Sequence, residues 1–170
     1  MKIRYKNINH GNNIRENRMS INERPTYELD KILDSISPEE FESYRSEHKV
    51  KSDKEVSIKE YYNDYIAAHK LELNDIVKKS DIPSNYAYGI LNGNRKNPSR
   101  DRIIALCIAC RMNLTETNRA LKIAGHSPLY SKVSRDAAII IMINKEEYSV
   151  QIVNEFLYGH SMDVLKTSNI

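Results

Sequence analysis

Helix start signals recur at short intervals from residue 57 onward, and the apolar residues between them are spaced three or four positions apart. Ser57 with Glu60 and Asn113 with Glu116 each form the capping-box pattern that opens a helix. No segment of useful length alternates between polar and apolar residues, apart from Ile139–Ile143, which could be a buried strand by its composition. Its polar flanks favour a helix. The sequence therefore predicts an all-α fold.

Five short helices are expected within residues 57–125. They begin near Ser57, Leu73, Ser84, Pro98 and Asn113. Gly93 and Gly125 are expected to end the third and the fifth helix, because glycine readily adopts the left-handed conformation that terminates helices. The fourth helix is apolar around most of its circumference, which is typical of the central helix of a bundle.

A C-terminal extension, residues 126–170, is expected to add two more helices. One covers Ala137–Ile143, and the other runs from Ser149 through Leu157 and is closed by Gly159. The first is apolar on more faces than one neighbour can cover, and the second carries another apolar stripe. We therefore expect these helices to pair with those of a second copy in a homodimer. Burial within a monomer is the alternative, if both helices clasp the bundle.

The first third of the chain carries weaker signals. Residues 1–26 have no apolar periodicity and are expected to be a flexible polar tail, followed by a helical segment and a charged linker over residues 27–56. Ser37-Pro38 is a strong helix start, and Phe41 and Tyr44 are the only large apolar contacts that this helix offers. Such weak docking suits a region that binds a protein partner. The basic tail could instead lie along DNA as an arm.

The longest uninterrupted apolar run, Ala137–Ile143, is only seven residues long. A bilayer span needs about 18 such residues, so no membrane segment is expected. The first residues contain no apolar stretch, and no secretory signal is expected either. Two cysteines in 170 residues are too few for a disulfide framework. Together these observations predict a soluble protein in a reducing cytoplasm.

The net charge of +3 is small, but basic residues crowd into the middle of the chain. The cluster consists of Lys78, Lys79, Arg95, Lys96, Arg100, Arg102 and Arg111. A local cluster of this kind is typical of polyanion binding, and it is equally typical of a solvated helical surface. Because Arg100 and Arg102 flank a helix start, where cations are mildly unfavourable, we expect these two to have an electrostatic partner.

Residues 73–99, LNDIVKKSDIPSNYAYGILNGNRKNPS, resemble the helix-turn-helix family of the lambdoid phage repressors and Cro. The resemblance rests on Ile76-Val77, Asp81-Ile82, Ile90, Gly93 and Pro98. Residues 121–160 are similar to the extension of a subgroup of small helix-turn-helix proteins from Gram-positive bacteria. The resemblance implies a five-helix repressor-like bundle over residues 57–125. It also implies a transcriptional regulator that docks the helix Ser84–Asn92 in the major groove of double-stranded DNA.

The same resemblance implies a set of DNA contacts. Base-reading positions fall on Ser84, Asn85 and Gly89, and phosphate-contacting positions fall on Asn92, Asn94 and Lys96, beside Arg95. Tyr86 and Tyr88 could pack on thymine methyl groups or bind a phosphate, and Tyr88 could equally pack on Tyr62 or Tyr65 in the core.

Three positions depart from the family pattern. The turn between the two helices needs a positive φ and is commonly glycine in the family, whereas this chain has Asp81, which can adopt that conformation less freely. Leu73 stands where the family often has a glutamine, and Gly89 offers no side chain to read a base. The missing reader at Gly89 and the two tyrosines at 86 and 88 leave an alternative open: a protein-interaction adaptor that keeps a degenerate helix-turn-helix fold.

Other chemistry receives little support from the sequence. Cys107-x-x-Cys110 lies within an apolar helix and has no second ligand pair, so buried packing is expected rather than a zinc or redox site. The five histidines show no ligand spacing, and no phosphate-binding glycine loop, nucleophile motif or carboxylate pair is visible. We therefore expect no enzymatic activity, metal or cofactor.

Overall fold

The computed structural model describes residues 26–48 and 57–168. Within these two ranges the regular structure is helical and contains no strand, which confirms the all-α prediction. The chain divides into two compact units, Met1–Val50 and Lys51–Ile170. In the ranges described, no helix has the length and the apolar character needed to cross a membrane.

The first unit contains α1 (Thr26–Leu33), a single 3-10 turn (Pro38–Glu40) and α2 (Phe41–Glu47). The Ser37 N–H donates to the Glu40 carboxylate at 2.8 Å, as the capping pattern predicts. Tyr44 is buried and its ring packs on that of His48, whereas Phe41 is 52% exposed, so one of the two large apolar side chains of this helix is buried. The predictions for residues 1–25 and 49–56 lie outside the described residues.

The second unit contains seven helices within residues 57–168. They are α3 (Ile58–Ala68), α4 (Leu73–Lys79), α5 (Ser84–Leu91), α6 (Arg100–Ala109), α7 (Leu114–Ile123), α8 (Ser134–Asn144) and α9 (Val150–Gly159). The predicted caps form: the Ser57 hydroxyl accepts from the Glu60 N–H at 3.2 Å, and the Asn113 side chain accepts from the Glu116 N–H at 2.9 Å. Both the segment 57–125 and the C-terminal helices therefore belong to one compact unit.

Helix α6 is the centre of this unit, as its apolar circumference predicts. Every residue from Arg102 through Cys110 is buried. Helices α4, α7 and α9 pack directly on α6, and α3 packs on α5 and α7. The Tyr62 hydroxyl of α3 donates to the Ile103 carbonyl at 3.0 Å and lies 3.4 Å from the Cys107 sulfur, which satisfies a buried polar group at the core.

The helices of the second unit share one way of ending. Each of α3 to α9 is followed, after one further residue, by a residue of positive φ. These residues are Lys70, Asp81, Gly93, Arg111, Gly125, Glu146 and Ser161. Gly93 and Gly125 end their helices as predicted, whereas Gly159 does not: it is the last residue of α9, and Ser161 adopts the left-handed conformation. Non-glycine residues thus terminate five of the seven helices at a modest conformational cost.

Candidate functional site

Helix α5 presents one polar face to solvent and buries the other. Ala87, Ile90 and Leu91 are almost fully buried against the core. Ser84, Asn85 and Asn92 are exposed on the opposite side, at positions that the period of 3.6 residues places on one face. The sequence therefore folds this segment into a helix whose free side consists of small polar groups.

A tight turn of residues 80–83 joins α4 to α5. Asp81 has a φ of 55°, so it reverses the chain where the sequence led us to expect a left-handed residue. The Ser80 hydroxyl donates to the Val77 carbonyl at 2.8 Å and accepts from the Ile82 N–H at 3.3 Å, and Ile82 is buried beneath the turn. These contacts hold α4 and α5 next to each other with only four residues between them.

Gly89 is buried on α5, and the side chain of Arg95 covers it. A Cβ atom at Gly89 would stand 2.6 Å from the Arg95 Cγ, which is too close for any real contact. The Arg95 N–H also donates to the Gly89 carbonyl at 2.8 Å. The glycine therefore makes room for an arginine that folds back from the loop after α5 onto the surface of the helix.

Tyr86 lies on the flank of α5 beneath two guanidinium groups. The Arg102 Cζ is 4.0 Å from the ring centroid, and the Arg95 Cζ is 5.0 Å from it. Both distances are within the range of cation–π interaction. The ring is half-buried, so Tyr86 is already engaged by this chain's own cations.

Tyr88 connects α5 to α4, because its hydroxyl donates to the Asn74 side-chain oxygen. Tyr62 and Tyr65, the alternative partners considered for it, bond elsewhere: Tyr65 donates to the Glu116 carboxylate at 3.1 Å. Burial raises the pKa of both Tyr62 and Tyr65, so each stays a neutral hydrogen-bond donor. Leu73 is half-buried and packs on the core, which explains an apolar residue at the start of α4.

The basic cluster of the sequence divides into two groups. Arg100 forms a two-pronged ion pair with the Asp136 carboxylate, at 3.0 and 2.8 Å, and Arg102 is buried at 9% exposure. The expected partners of these two arginines therefore lie within the chain. The remaining members, Lys78, Lys79, Arg95, Lys96 and Arg111, are exposed.

Lys59 lies beside the loop after α5, although no pattern in the sequence singles it out. Its Cδ is 3.0 Å from the place where a Cβ at Gly93 would stand. It is exposed at the start of α3, and it is separated from the loop by more than thirty residues of sequence. Only the packing of α3 on α5 brings this cation to the site.

Cys107 and Cys110 are free thiols in the core. Burial raises the pKa of the Cys107 thiol to about 12 and raises that of Cys110 as well, so neither forms a thiolate near neutral pH. Among the described residues, no three histidine, cysteine or acidic side chains are grouped as metal ligands would be. The geometry thus fits the packing role that their place within an apolar helix predicts.

We name the polar and basic residues that reach solvent around this helix the α4–α5 surface. It consists of Lys59, Lys78, Lys79, Ser84, Asn85, Tyr88, Asn92, Asn94, Arg95 and Lys96. It offers amide and hydroxyl groups on a helix, flanked by ammonium and guanidinium groups, and is therefore suited to a polyanion that also carries hydrogen-bonding edges. No protein-family model matches the sequence, and no curated protein or solved structure does so either.

Proposed function

We propose that α4, the turn at Asp81 and α5 form a helix-turn-helix, and that the chain is a repressor-like regulator that binds double-stranded DNA with α5 in the major groove. The observation that carries this proposal is the arginine laid over a glycine on the free face of α5. An alanine at this position would displace Arg95, so the pairing of Gly89 with Arg95 supports a role for the arginine at the helix surface.

The side chains on this face have the chemistry of base recognition. Asn85 is exposed on the first turn of α5, and asparagine pairs with the N6 and N7 edge of adenine. Arg95 carries a planar fork of donors, which pairs with the O6 and N7 edge of guanine. We propose that Arg95 supplies the reading contact that Gly89 lacks, with Ser84 and Asn85 reading neighbouring base pairs.

Positioning contacts would come from the two ends of the surface. Asn92, Asn94 and Lys96 follow the last turn of α5, and Lys59 joins them from α3. At the other end, Lys78 lies in the last turn of α4 and lines a groove of about 460 Å³ together with Ser84. Cations at both ends of a helix suit the two phosphate backbones that border a major groove.

The features that favoured a protein-interaction adaptor serve contacts within this chain. Gly89 makes room for Arg95, and the Tyr86 ring is covered by guanidinium groups. Tyr88 is held by Asn74. The adaptor is therefore the function that would remain if DNA binding fails.

We also propose that the chain binds DNA as a homodimer through α8 and α9. The monomer buries Ile139 and Val153 completely, yet Ile141, Ile152 and Tyr158 are 51%, 45% and 79% exposed. These residues provide apolar area for a second copy, and a two-fold pair would match the two half-sites that repressor-like proteins read.

The experiment selects duplexes from a random-sequence pool with the full chain and then compares variants by mobility shift at several salt concentrations. Arg95→Ala should lower discrimination against single-base changes at one position of the selected site by about 1–3 kcal/mol. Lys96→Ala should weaken binding to all duplexes alike and flatten the salt dependence by about one unit. Lys145→Ala, which removes an exposed lysine outside the α4–α5 surface, is the matched control.

Two results would contradict the proposal. If the full chain retains no duplex even at low salt, DNA binding is wrong and the adaptor becomes the better hypothesis. If duplexes are retained but Arg95→Ala and Lys145→Ala behave alike, Arg95 is not a reading residue.

A further inference from the structure

Residues 161–168 follow α9 as an irregular segment, which we name the C-terminal strap. Side chains of α6, α8 and α9 bind its backbone. Arg135 donates to the Asp163 and Val164 carbonyls at 2.7 and 3.1 Å. The Asn154 amide accepts from the Leu165 N–H at 2.7 Å and donates to the Leu165 carbonyl at 3.5 Å.

Two further bonds hold the end of the strap against the start of α6. The Asp101 carboxylate accepts from the Lys166 N–H at 2.9 Å, and the Arg102 Nε donates to the Thr167 carbonyl at 3.1 Å. Leu165 and Thr167 are 2% and 5% exposed, so the strap also buries its side chains. Since a segment without regular structure must satisfy its backbone through side chains, this set of bonds specifies one path for it.

The strap is connected to the turn before α5 and to the first part of α5 itself. The Thr167 hydroxyl donates to the Asp81 carboxylate, at 3.2 Å, in the turn that precedes the helix. Arg102, which binds the Thr167 carbonyl, lies with its guanidinium over the Tyr86 ring on α5. Thr167 thus contacts the turn directly, and it is linked to α5 through Arg102.

Contacts of this kind support the start of α5, which has no side-chain cap of its own. Pro83 occupies the N-cap position and makes no side-chain bond to the first turn. Asp81 holds a conformation with φ of 55°, which aspartate adopts less freely than glycine. The Thr167 hydroxyl therefore adds a contact from outside the turn to those that Ser80 makes within it.

We propose that the C-terminal strap positions α5, with Thr167 and Arg102 as the positioning residues, and that it thereby sets the specificity of DNA recognition. The effect on specificity rests on the DNA-binding function proposed above, whereas the effect on the helix does not.

Two variants of the full chain test this proposal. Asn154→Ala removes both bonds to Leu165 and should release the strap, while Thr167→Val removes the hydroxyl that binds Asp81 and leaves the backbone bonds of the strap in place. Gln151→Ala is the control, because Gln151 lies on α9 and bonds to the neighbouring Glu155 at the surface.

Amide hydrogen exchange measures the effect of the strap on α5 in the absence of DNA. Both test variants should raise exchange in residues 81–88 by about tenfold, and only Asn154→Ala should raise it in residues 163–167. The control should resemble the unchanged chain. If Asn154→Ala releases the strap but exchange in residues 81–88 stays the same, the strap does not position α5 and the proposal is wrong.

Mobility shift gives the second readout. A mispositioned helix should lower affinity for the selected duplex about tenfold, while affinity for poly(dI-dC) and its salt dependence stay unchanged. A general loss of folded protein would instead lower both affinities together, and that result would overturn the positioning role. If exchange changes as expected while the unchanged chain binds no duplex, the DNA-binding proposal fails and the coupling of strap to helix stands.

Discussion

Helices α5 and α6 follow each other in the chain and each starts at a Pro-Ser pair, Pro83-Ser84 and Pro98-Ser99, but they have opposite surroundings. Pro83-Ser84 opens a helix with one free polar face, while Pro98-Ser99 opens a helix that is buried on all sides. The start signal therefore determines where a helix begins, and the distribution of apolar residues along the segment determines how much of it reaches solvent.

The arginines near the two helices also differ in their contacts. Arg100 and Arg102 at the start of α6 are bound by this chain's own carboxylate, carbonyl and aromatic groups. Arg95 after α5 remains exposed, although it packs over Gly89. A charge count alone would have placed all three in one binding surface, and the structure separates the two arginines that are bound within the chain from Arg95, which is exposed.

The largest expected effect concerns the two thiols, Cys107 within α6 and Cys110 at its C-terminal end. Burial moves the pKa of Cys107 from 9.0 to about 12, so at pH 8 its thiolate population should fall by about a thousandfold relative to an open thiol. The native chain should therefore react very slowly with a disulfide reagent, and both thiols should react rapidly after unfolding in urea. Fast modification of a native cysteine would show that the core of α6 is open to solvent and would revive the redox and zinc alternatives.

A truncation in α6 should cost far more than one on α5. Leu106 is fully buried, so Leu106→Ala should lower the free energy of unfolding by about 2–5 kcal/mol through lost contacts and a cavity. Asn85→Ala, on the exposed face of α5, should change it by less than about 0.5 kcal/mol. Urea denaturation measures both changes in the free energy of unfolding. Equal changes would contradict the difference in burial between the two helices.

The ion pair that holds the start of α6 should contribute less than the core. Asp136 is 5% exposed and accepts from both prongs of Arg100 and from the Tyr130 N–H at 3.0 Å. Asp136→Asn should lower the free energy of unfolding by about 1–3 kcal/mol, because it leaves a partly buried guanidinium without its counter-charge. Glu42→Gln breaks an exposed ion pair with Arg45 and is the matched control, with an expected change below about 0.5 kcal/mol. A smaller loss for Asp136→Asn than for the control would mean that Arg100 finds other support.

Gly89→Ala should change the free energy of unfolding by no more than about 1 kcal/mol, because the gain in helix propensity opposes the displacement of Arg95. Arg95 is exposed and its flexible side chain can move away. The same variant should lose the base discrimination that Arg95 provides, so specificity should fall while the free energy of unfolding changes little. Unchanged discrimination with a displaced Arg95, as seen by nuclear magnetic resonance, would contradict the reading role.

The smallest change in stability is expected at Tyr158, which is 79% exposed on α9. Tyr158→Ser should leave the free energy of unfolding within about 0.5 kcal/mol. If α8 and α9 form the proposed dimer interface, the same variant should shift sedimentation toward the monomer. A chain that is already monomeric at micromolar concentration would contradict the dimer.

Local signals in the sequence predicted much of this fold. The caps at Ser57 and Asn113 form as expected, Gly93 and Gly125 follow the ends of their helices, and α6 is central. These features depend on residues a few positions apart, which sequence spacing describes directly. The predicted end of α9 was wrong, because Ser161 and not Gly159 adopts the left-handed conformation that ends the helix. The preference for glycine at such positions is too weak to exclude other residues.

What the sequence did not reveal depends on residues that are distant along the chain. Arg100 finds Asp136 thirty-six positions away, and the role of Gly89 becomes visible only when the path of the Arg95 side chain is known. The strap has no apolar periodicity that would reveal it in the sequence. Its backbone N–H and C=O groups are hydrogen-bonded by side chains from other helices. Such contacts have no signature in residue spacing.

The strap also has a consequence for the order of folding. Its bonds join Arg102 to a residue 65 positions away and Asp81 to one 86 positions away, so forming them closes long loops. Because closing long loops costs entropy, we expect contacts of this range to form after the local helices and the α6 core have assembled. Variants that weaken the strap should therefore accelerate unfolding and leave the folding rate nearly unchanged. The last step of folding would then be the one that brings α5 to its final position.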